Sequence, residues 1–343
     1  PPYSSAASDV YKRQMLDGAA KIVDYLKKVK ELNQPAAAIT DHGNLYGAME
    51  FVQKANDFGI KPIIGYEAYI TPGSRFDRPD RENNKRYHLT LLAENNIGYQ
   101  NLVELVSKAY TEGYYYKPRI DYELLDQHHD GLIALSGCLG GELAQHLAPD
   151  GSVEEGNTSN ERSFEKALDI AKKYQSIFGK ENYFIEIHNH GIKQQLDILD
   201  DLVEIAQLID APLVAANDSH YVEENGAEAH DALLCVQTNR TLDDESRFRF
   251  DGSGYYVKSS EEMRKLFPED KYPGACDNTL AIADRVKYEF NFDNSYLPDF
   301  PIEDKNVSPE ELLKIKVYAG GESKYETLTS EIIERIDYEL DVI

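Results

Sequence analysis

The stretch Ala38-Ile39-Thr40-Asp41-His42-Gly43-Asn44, AITDHGN, decides how this chain is read. An apolar run stops abruptly at an acid, an imidazole and a glycine. Two physical readings compete. Asp caps helices and Gly turns corners, so the tetrad can be a plain turn. Strand ends in α/β folds are also where side chains converge on a ligand. Outward from this point the same grammar repeats. Apolar, strand-like segments at 36–40, 62–70, 88–93, 131–136, 183–188 and 213–217 alternate with helix-like segments at 19–32, 45–58, 99–108, 161–178, 194–209 and 227–237. In the latter, apolar residues recur every three to four positions. Such alternation predicts parallel strands joined by crossover helices, in a barrel or a doubly wound sheet.

Nearly every strand end carries a metal-capable side chain. These are Asp41 and His42, Glu67 in IIGYEAYI, His88 opening HLTLLA, Cys138 after IALSG, His188 and His190 in IEIHNHG, and Asp218 and His220 in AANDSHY. Imidazole, carboxylate and thiolate form the ligand set of zinc and, with more oxygen, of manganese or iron. Taken singly, Asp41 reads as a helix cap, His88 as a core histidine, Cys138 as a small buried hydrophobe and Glu67 as a carboxylate facing water. Asp218 and His220 are the sharpest pair, because residues two apart in an extended segment share a face. His188 and His190 have the same spacing, but Gly191 suggests a turn and ranks them behind. Recurrence at so many strand ends favours one shared site, since a barrel gathers those ends at one rim. His128, His129, His146 and His230 receive no role. In EGYYYKPRID, Lys117 and Arg119 are placed to hold phosphates beside base-stacking tyrosines, against the alternative of a packed loop with solvated charges.

Composition narrows the function. The chain has 343 residues, enough for one large α/β domain or two ordinary ones. Its 36 Lys and Arg against 61 Asp and Glu give a net charge of −25, which repels a phosphate backbone over most of the surface. Nucleic-acid contact is therefore expected to be local or carried by metal ions. No apolar run reaches membrane-spanning length and no signal peptide opens the chain, so the expected compartment is the cytoplasm. The three cysteines, Cys138, Cys235 and Cys276, lack paired spacing, which argues against a disulfide framework. At YLPDFPIEDKNVSPEELL the pattern breaks into a Pro- and acid-rich connector with a capped helix start at Ser308. A new unit is expected there, ending in IIERIDYELDVI as an uncompleted amphipathic helix at Ile343.

The motifs AITDHGNLYGAMEF, GIKPIIGYEAYI, YHLTLLAENNIGYQNL, GLIALSGCLGGEL and LVAANDSHY together resemble the polymerase and histidinol phosphatase (PHP) domain at the amino terminus of the bacterial DNA polymerase III alpha subunit, a family C replicative polymerase. The resemblance runs in order from about Met15 to the end, through AEAHDALLCVQTNRTLDDESRFRF and IDYELDVI. It implies an irregular (β/α)7 barrel whose first strand is missing or non-native, followed by the start of a second, mainly helical unit. It also implies a division into a non-native terminus at 1–14, a PHP domain at 15–290, and a connector with the truncated start of a polymerase core at 291–343. Asp17 in MLDGAA, His42, Glu67, His88, Cys138, Asp218 and His220 stand where the family's metal ligands are expected. The cluster's opening His-x-His falls at positions 8 and 10, occupied here by Ser8 and Val10, so PPYSSAASDVYKRQ reads as a foreign end.

By the same resemblance the parent protein carries out DNA-templated DNA synthesis, with magnesium at a polymerase centre whose carboxylates lie beyond Ile343. The PHP site itself implies zinc or manganese and a metal-dependent 3′–5′ exonuclease, impaired here by the incomplete cluster. DNA and replicase subunits are the implied partners, with no membrane. The rivals are a free-standing phosphomonoesterase of the histidinol phosphatase type and a non-catalytic scaffold.

Overall fold

The computed structural model describes residues 18–80, 83–149, 161–290, 300–302 and 304–343. They belong to two compact units, divided between Glu289 and Phe290. Residues 1–14, expected to be foreign, lie outside the described residues, as does the expected ligand Asp17.

The first unit is built on eight strands: β1 (Ala36–His42), β2 (Lys61–Ile70), β3 (Tyr87–Ala93), β4 (Tyr114–Tyr115), β5 (Lys117–Ile120), β6 (Leu132–Leu135), β7 (Tyr183–Ile187) and β8 (Leu213–Ala215). Its helices are α1 (Ile22–Glu31), α2 (Ala48–Phe58), α3 (Asn96–Thr111), α4 (Tyr122–Gln127), α5 (Glu142–Leu147), α6 (Phe164–Phe178), α7 (Lys193–Ile209), α8 (Ala227–Thr238), α9 (Ser260–Leu266) and α10 (Asp277–Arg285). One sheet runs β4-β5-β2-β3-β6-β7-β8, with β1 added alongside β2. Among the described residues no ladder joins β1 to β8.

The central strands are buried on both faces, which explains their near-continuous apolar composition. On β1 the alternation separates two cores. Ala37 and Ile39 pack outward under Ile22, Tyr25, Leu26 and Val29 of α1 and Phe51 and Ala55 of α2. Ala36 and Ala38 point the other way, meeting Ile63, Leu92, Ile133, Leu135, Phe184 and Val214 from five further strands. Side chains from β1, β2, β3, β6, β7 and β8 can share one cluster only if the sheet curls around it. This is the interior of the barrel, and its inward rows lead upward to the strand ends.

The expectation of uniformly parallel strands is corrected by β3, which runs antiparallel to both β2 and β6. The connection from β2 to β3, residues 71–86, forms no helix among its described residues. Without a crossover helix the chain returns beside β2 in the opposite sense. The other central pairs, β1 with β2, β6 with β7 and β7 with β8, are parallel.

The second unit holds α11 (Pro309–Lys324) and α12 (Ser330–Val342). Ser308 accepts from Glu311 N at 3.2 Å while the Glu311 carboxylate accepts from Ser308 N at 3.0 Å, a reciprocal capping box with Pro309 in the first turn. Tyr318 donates to Asp337 at 2.6 Å, tying the two helices together.

Candidate metal centre

The ladders bring the first three candidate residues together. His42 stands opposite Glu67 in the parallel β1–β2 register, and Glu67 stands opposite Thr90 in the antiparallel β2–β3 register. His88 lies two residues from Thr90 and so shares its face, a diagonal neighbour of Glu67. The resulting distances are 3.4 Å from His42 Nδ1 to Glu67 Oε2 and 2.9 Å from His88 Nδ1 to Glu67 Oε1. Tyr69, opposite His88, stacks on the His42 ring at 5.9 Å and meets the His88 ring edge-on at 5.3 Å.

Cys138 arrives on the loop after β6. That loop is pinned to β3, with His88 N donating to Gly140 O at 2.9 Å. It closes so tightly that a Cβ on Gly140 would lie 2.7 Å from His88 Nδ1. Only glycine lets the backbone approach the ring this closely. Cys138 Sγ consequently sits 3.5 Å from His88 Nδ1 and 3.7 Å from Glu67 Oε1. Asp218 and His220 follow β8. His220 Nε2 is 3.4 Å from Asp218 Oδ1, and the carbonyl of His220 accepts from Ala19 N and Ala20 N at the entry to α1. The Asp218 charge acts on both Glu67 and Cys138.

Electrostatics fit a cation. Burial alone would raise the Glu67 carboxyl, but His42 and His88 outweigh it and hold the group below the usual carboxylate range. Asp218 is likewise held far down against burial, by His220 and then by His188 and His190. Burial, with the Glu67 charge beside it, pushes the Cys138 thiol up to about 11. Four ligands of one tetrahedral zinc, each ~2.0–2.3 Å from the ion, lie about 3.3–3.7 Å from one another. The 3.4, 3.5 and 3.7 Å separations match that spacing, while His88 Nδ1 and Glu67 Oε1, at 2.9 Å, stand at hydrogen-bond distance. His42, Glu67 and His88 each offer a ligand atom within 4.8 Å of the others, so these nitrogen and oxygen donors fit a divalent ion.

Other candidates resolve differently. Asp41 Oδ2 accepts from Gly47 N at 3.2 Å, so the acid of the opening stretch holds the turn into α2 while the adjacent His42 faces the centre. Asp41 thus takes the turn reading of that stretch, while His42 lies with Glu67 and His88. His190 is a hydrogen-bonded core histidine: its Nε2 lies 2.8 Å from Asn217 O, and its Nδ1 lies 2.8 Å from Gln195 Nε2. Burial, with the neighbouring His188, lowers its pKa to about 3. His230, given no role from sequence, packs its ring 5.5 Å from His220, and Phe250 lies 4.6 Å from the same ring.

The phosphate-holding role expected of Arg119 is corrected. Its side chain is fully buried, donating to Gly113 O, Asn84 Oδ1, Arg75 O and Asp77 O. A guanidinium spent on four internal acceptors stabilises the 75–84 loop and has no donor facing solvent. Lys117 lies beside the centre, with Nζ 3.2 Å from Tyr69 Oη. Sequence reasoning missed Tyr69, Thr90 and Glu186 as neighbours of the site; the only signal for Glu186 was its alternation with Phe184 and His188 along β7.

A family profile for the PHP domain matches residues 12–190, just over half of the chain. The chain is 42% identical over 330 residues to a protein named DNA polymerase III subunit alpha from Treponema pallidum, covering 96% of this chain and 27% of that protein. It is 43% identical over 320 residues to the protein of the same name from Thermus aquaticus, covering 88% of this chain and 24% of that one. The chain thus spans about a quarter of the length of the curated relatives it matches. Among solved structures, an amidohydrolase from Chromobacterium violaceum aligns with a TM-score of 0.38 at 12% identity, over 64% of this chain and 86% of that one. No helix among the described residues is long and apolar enough to cross a membrane. The match over more than half of its length makes this chain a member of the PHP domain family.

Proposed function

We propose that His42, Glu67, His88, Cys138, Asp218 and His220, with Asp17, form a divalent-metal centre of phosphoesterase type, taking zinc or manganese. Its substrate would be the 3′ end of a DNA chain. The observation that carries this reading is the meeting of donors from β1, β2, β3 and the loop after β6 at separations suited to one ion. A bound ion would supply the positive charge that activates water and stabilises a phosphoryl oxygen. The chain's own residues do the rest. Glu67 and Asp218 keep the centre negative, His42 and His88 bracket Glu67, and Lys117 stands where it can meet a flanking phosphate. In the parent protein, a cytoplasmic DNA polymerase III alpha subunit by likeness to its relatives, this domain would act beside a magnesium-dependent polymerase centre and the replicase subunits. With Ser8 and Val10 in place of two imidazoles, the proposed exonuclease is weak and metal binding outlasts activity.

The test is metal analysis and hydrolysis on the purified chain. Bound zinc or manganese with slow release of 3′ nucleotides from a labelled oligonucleotide, abolished by Asp218→Ala, supports the reading. Metal-dependent hydrolysis of small phosphomonoesters without action on DNA would favour the free-standing phosphatase alternative. A protein that binds no metal would leave only the scaffold.

A further inference from the structure

We propose that His188 is an additional metal-ligating side chain of this centre, presenting Nδ1 to the ion while Glu186 holds Nε2. The inference rests on the metal reading above. Along β7 the alternation Phe184, Glu186, His188 points one way, and Phe184 belongs to the inner cluster of the barrel. Glu186 confirms the direction, because its Oε2 accepts from Thr90 Oγ1 of β3 at 3.2 Å and from Gly137 N at 2.9 Å. The β7–β8 ladder continues past the strand end, with Ala216 N donating to Ile187 O at 3.1 Å, so the inward row extends to His188. His188 therefore stands one step above Glu186, at the level of the strand ends that carry the candidate ligands. Asp218 and Glu67 are both near enough for their charges to act on it.

The chemistry of the ring assigns the roles of its two nitrogens. Nε2 lies 3.0 Å from Glu186 Oε1, in a carboxylate whose other oxygen is already fixed by two donors, so Nε2 carries the hydrogen. In the neutral ring, the form that binds a metal, that leaves a lone pair on Nδ1. The side chain is 6% exposed, and Nδ1 is buried with no hydrogen-bond partner among the described residues. A buried polar atom left without a partner costs ~1–3 kcal/mol, so such an atom calls for an absent ion or water. A carboxylate that orients an imidazole whose other nitrogen is bare is the usual support of a metal-bound histidine. In His190 both ring nitrogens are taken, so the same argument does not extend to it.

The experiment compares the full chain with His188→Gln by zinc competition titration and by the visible absorption of the cobalt-substituted protein. His188→Gln should bind zinc at least tenfold more weakly and change the cobalt spectrum, with the circular dichroism of the apo protein unchanged. Equal affinity and an identical spectrum would overturn the proposal. If the variant does not fold, histidine-selective ¹⁵N NMR of the unmodified chain decides instead. Zinc should then move the Nδ1 resonance of His188 and leave its Nε2 protonated; an unmoved Nδ1 overturns the role. No zinc bound by the unmodified chain overturns both this proposal and the centre, whereas tight zinc binding indifferent to His188 overturns this proposal alone.

Discussion

Gly140→Ala should damage the metal centre far more than the fold. Its added Cβ would lie 2.7 Å from His88 Nδ1 and 3.0 Å from both Cε1 and Cγ of the same ring. Ordinary contact between such atoms begins near ~3.5 Å, so the imidazole must retreat by about 0.5–0.8 Å. Metal sites tolerate errors of roughly 0.2 Å in ligand position, a fraction of that shift. His88 Nδ1 now stands 2.9 Å from Glu67 Oε1 and 3.5 Å from Cys138 Sγ, and both separations would change. Gly140 is not among the glycines with positive φ, so alanine meets no backbone strain and the effect is purely one of contact. Overpacking of this kind costs ~1–3 kcal/mol of stability, while misplacing a ligand lowers metal affinity by roughly 10–100-fold. Thermal unfolding of the apo protein reads the first quantity, and zinc competition titration reads the second. A folded Gly140→Ala chain that binds zinc as tightly as the unmodified one would refute the placement of His88 in the centre.

Three further outcomes are expected. His190 is held neutral, with its pKa lowered to about 3, so the folded state binds fewer protons than the unfolded chain between that value and the ordinary 6.5. Its contribution to stability is therefore lost as pH falls through this window, by up to about 1.4 kcal/mol per pH unit. His190→Asn should flatten the acid limb of urea-unfolding stability against pH, and an unchanged slope contradicts the neutral assignment. The Cys138 thiol, raised to about 11 by burial and Glu67, should alkylate slowly at pH 8 in metal-free protein; site-resolved mass spectrometry showing rapid labelling would contradict it. Arg119→Met strands buried acceptors at Asn84, Gly113, Arg75 and Asp77 and should destabilise the fold by roughly 3 kcal/mol or more. Oligonucleotide anisotropy should show no specific loss of DNA binding in that variant while it remains folded.

Much of the architecture was legible locally. The run AAAIT read as a strand, and the three-to-four residue spacing in 45–58 and 194–209 led directly to α2 and α7. Ser308 followed by Pro309 and Glu311 announced a capped helix because that signal uses only neighbouring residues. The candidate ligand types were also visible, since a polar residue that ends an apolar strand is conspicuous in one dimension. What tertiary structure alone decided was direction and company. The sense of β3 depends on a long connection that carries no periodic signal, and antiparallel pairing placed His88 diagonal to Glu67 rather than elsewhere along the rim. Arg119 and Lys117 look alike in sequence, yet one is fully buried by carbonyls from 75–77 and 113 and the other lies against Tyr69. His188 and His190 share a spacing and a neighbouring glycine. Only the position of Glu186 across from Thr90, and of Gln195 and Asn217 around the second ring, separates a bare nitrogen from a satisfied one. Periodicity is a property of adjacent residues, whereas the partner of a buried polar atom is set by strands that meet from opposite ends of the chain.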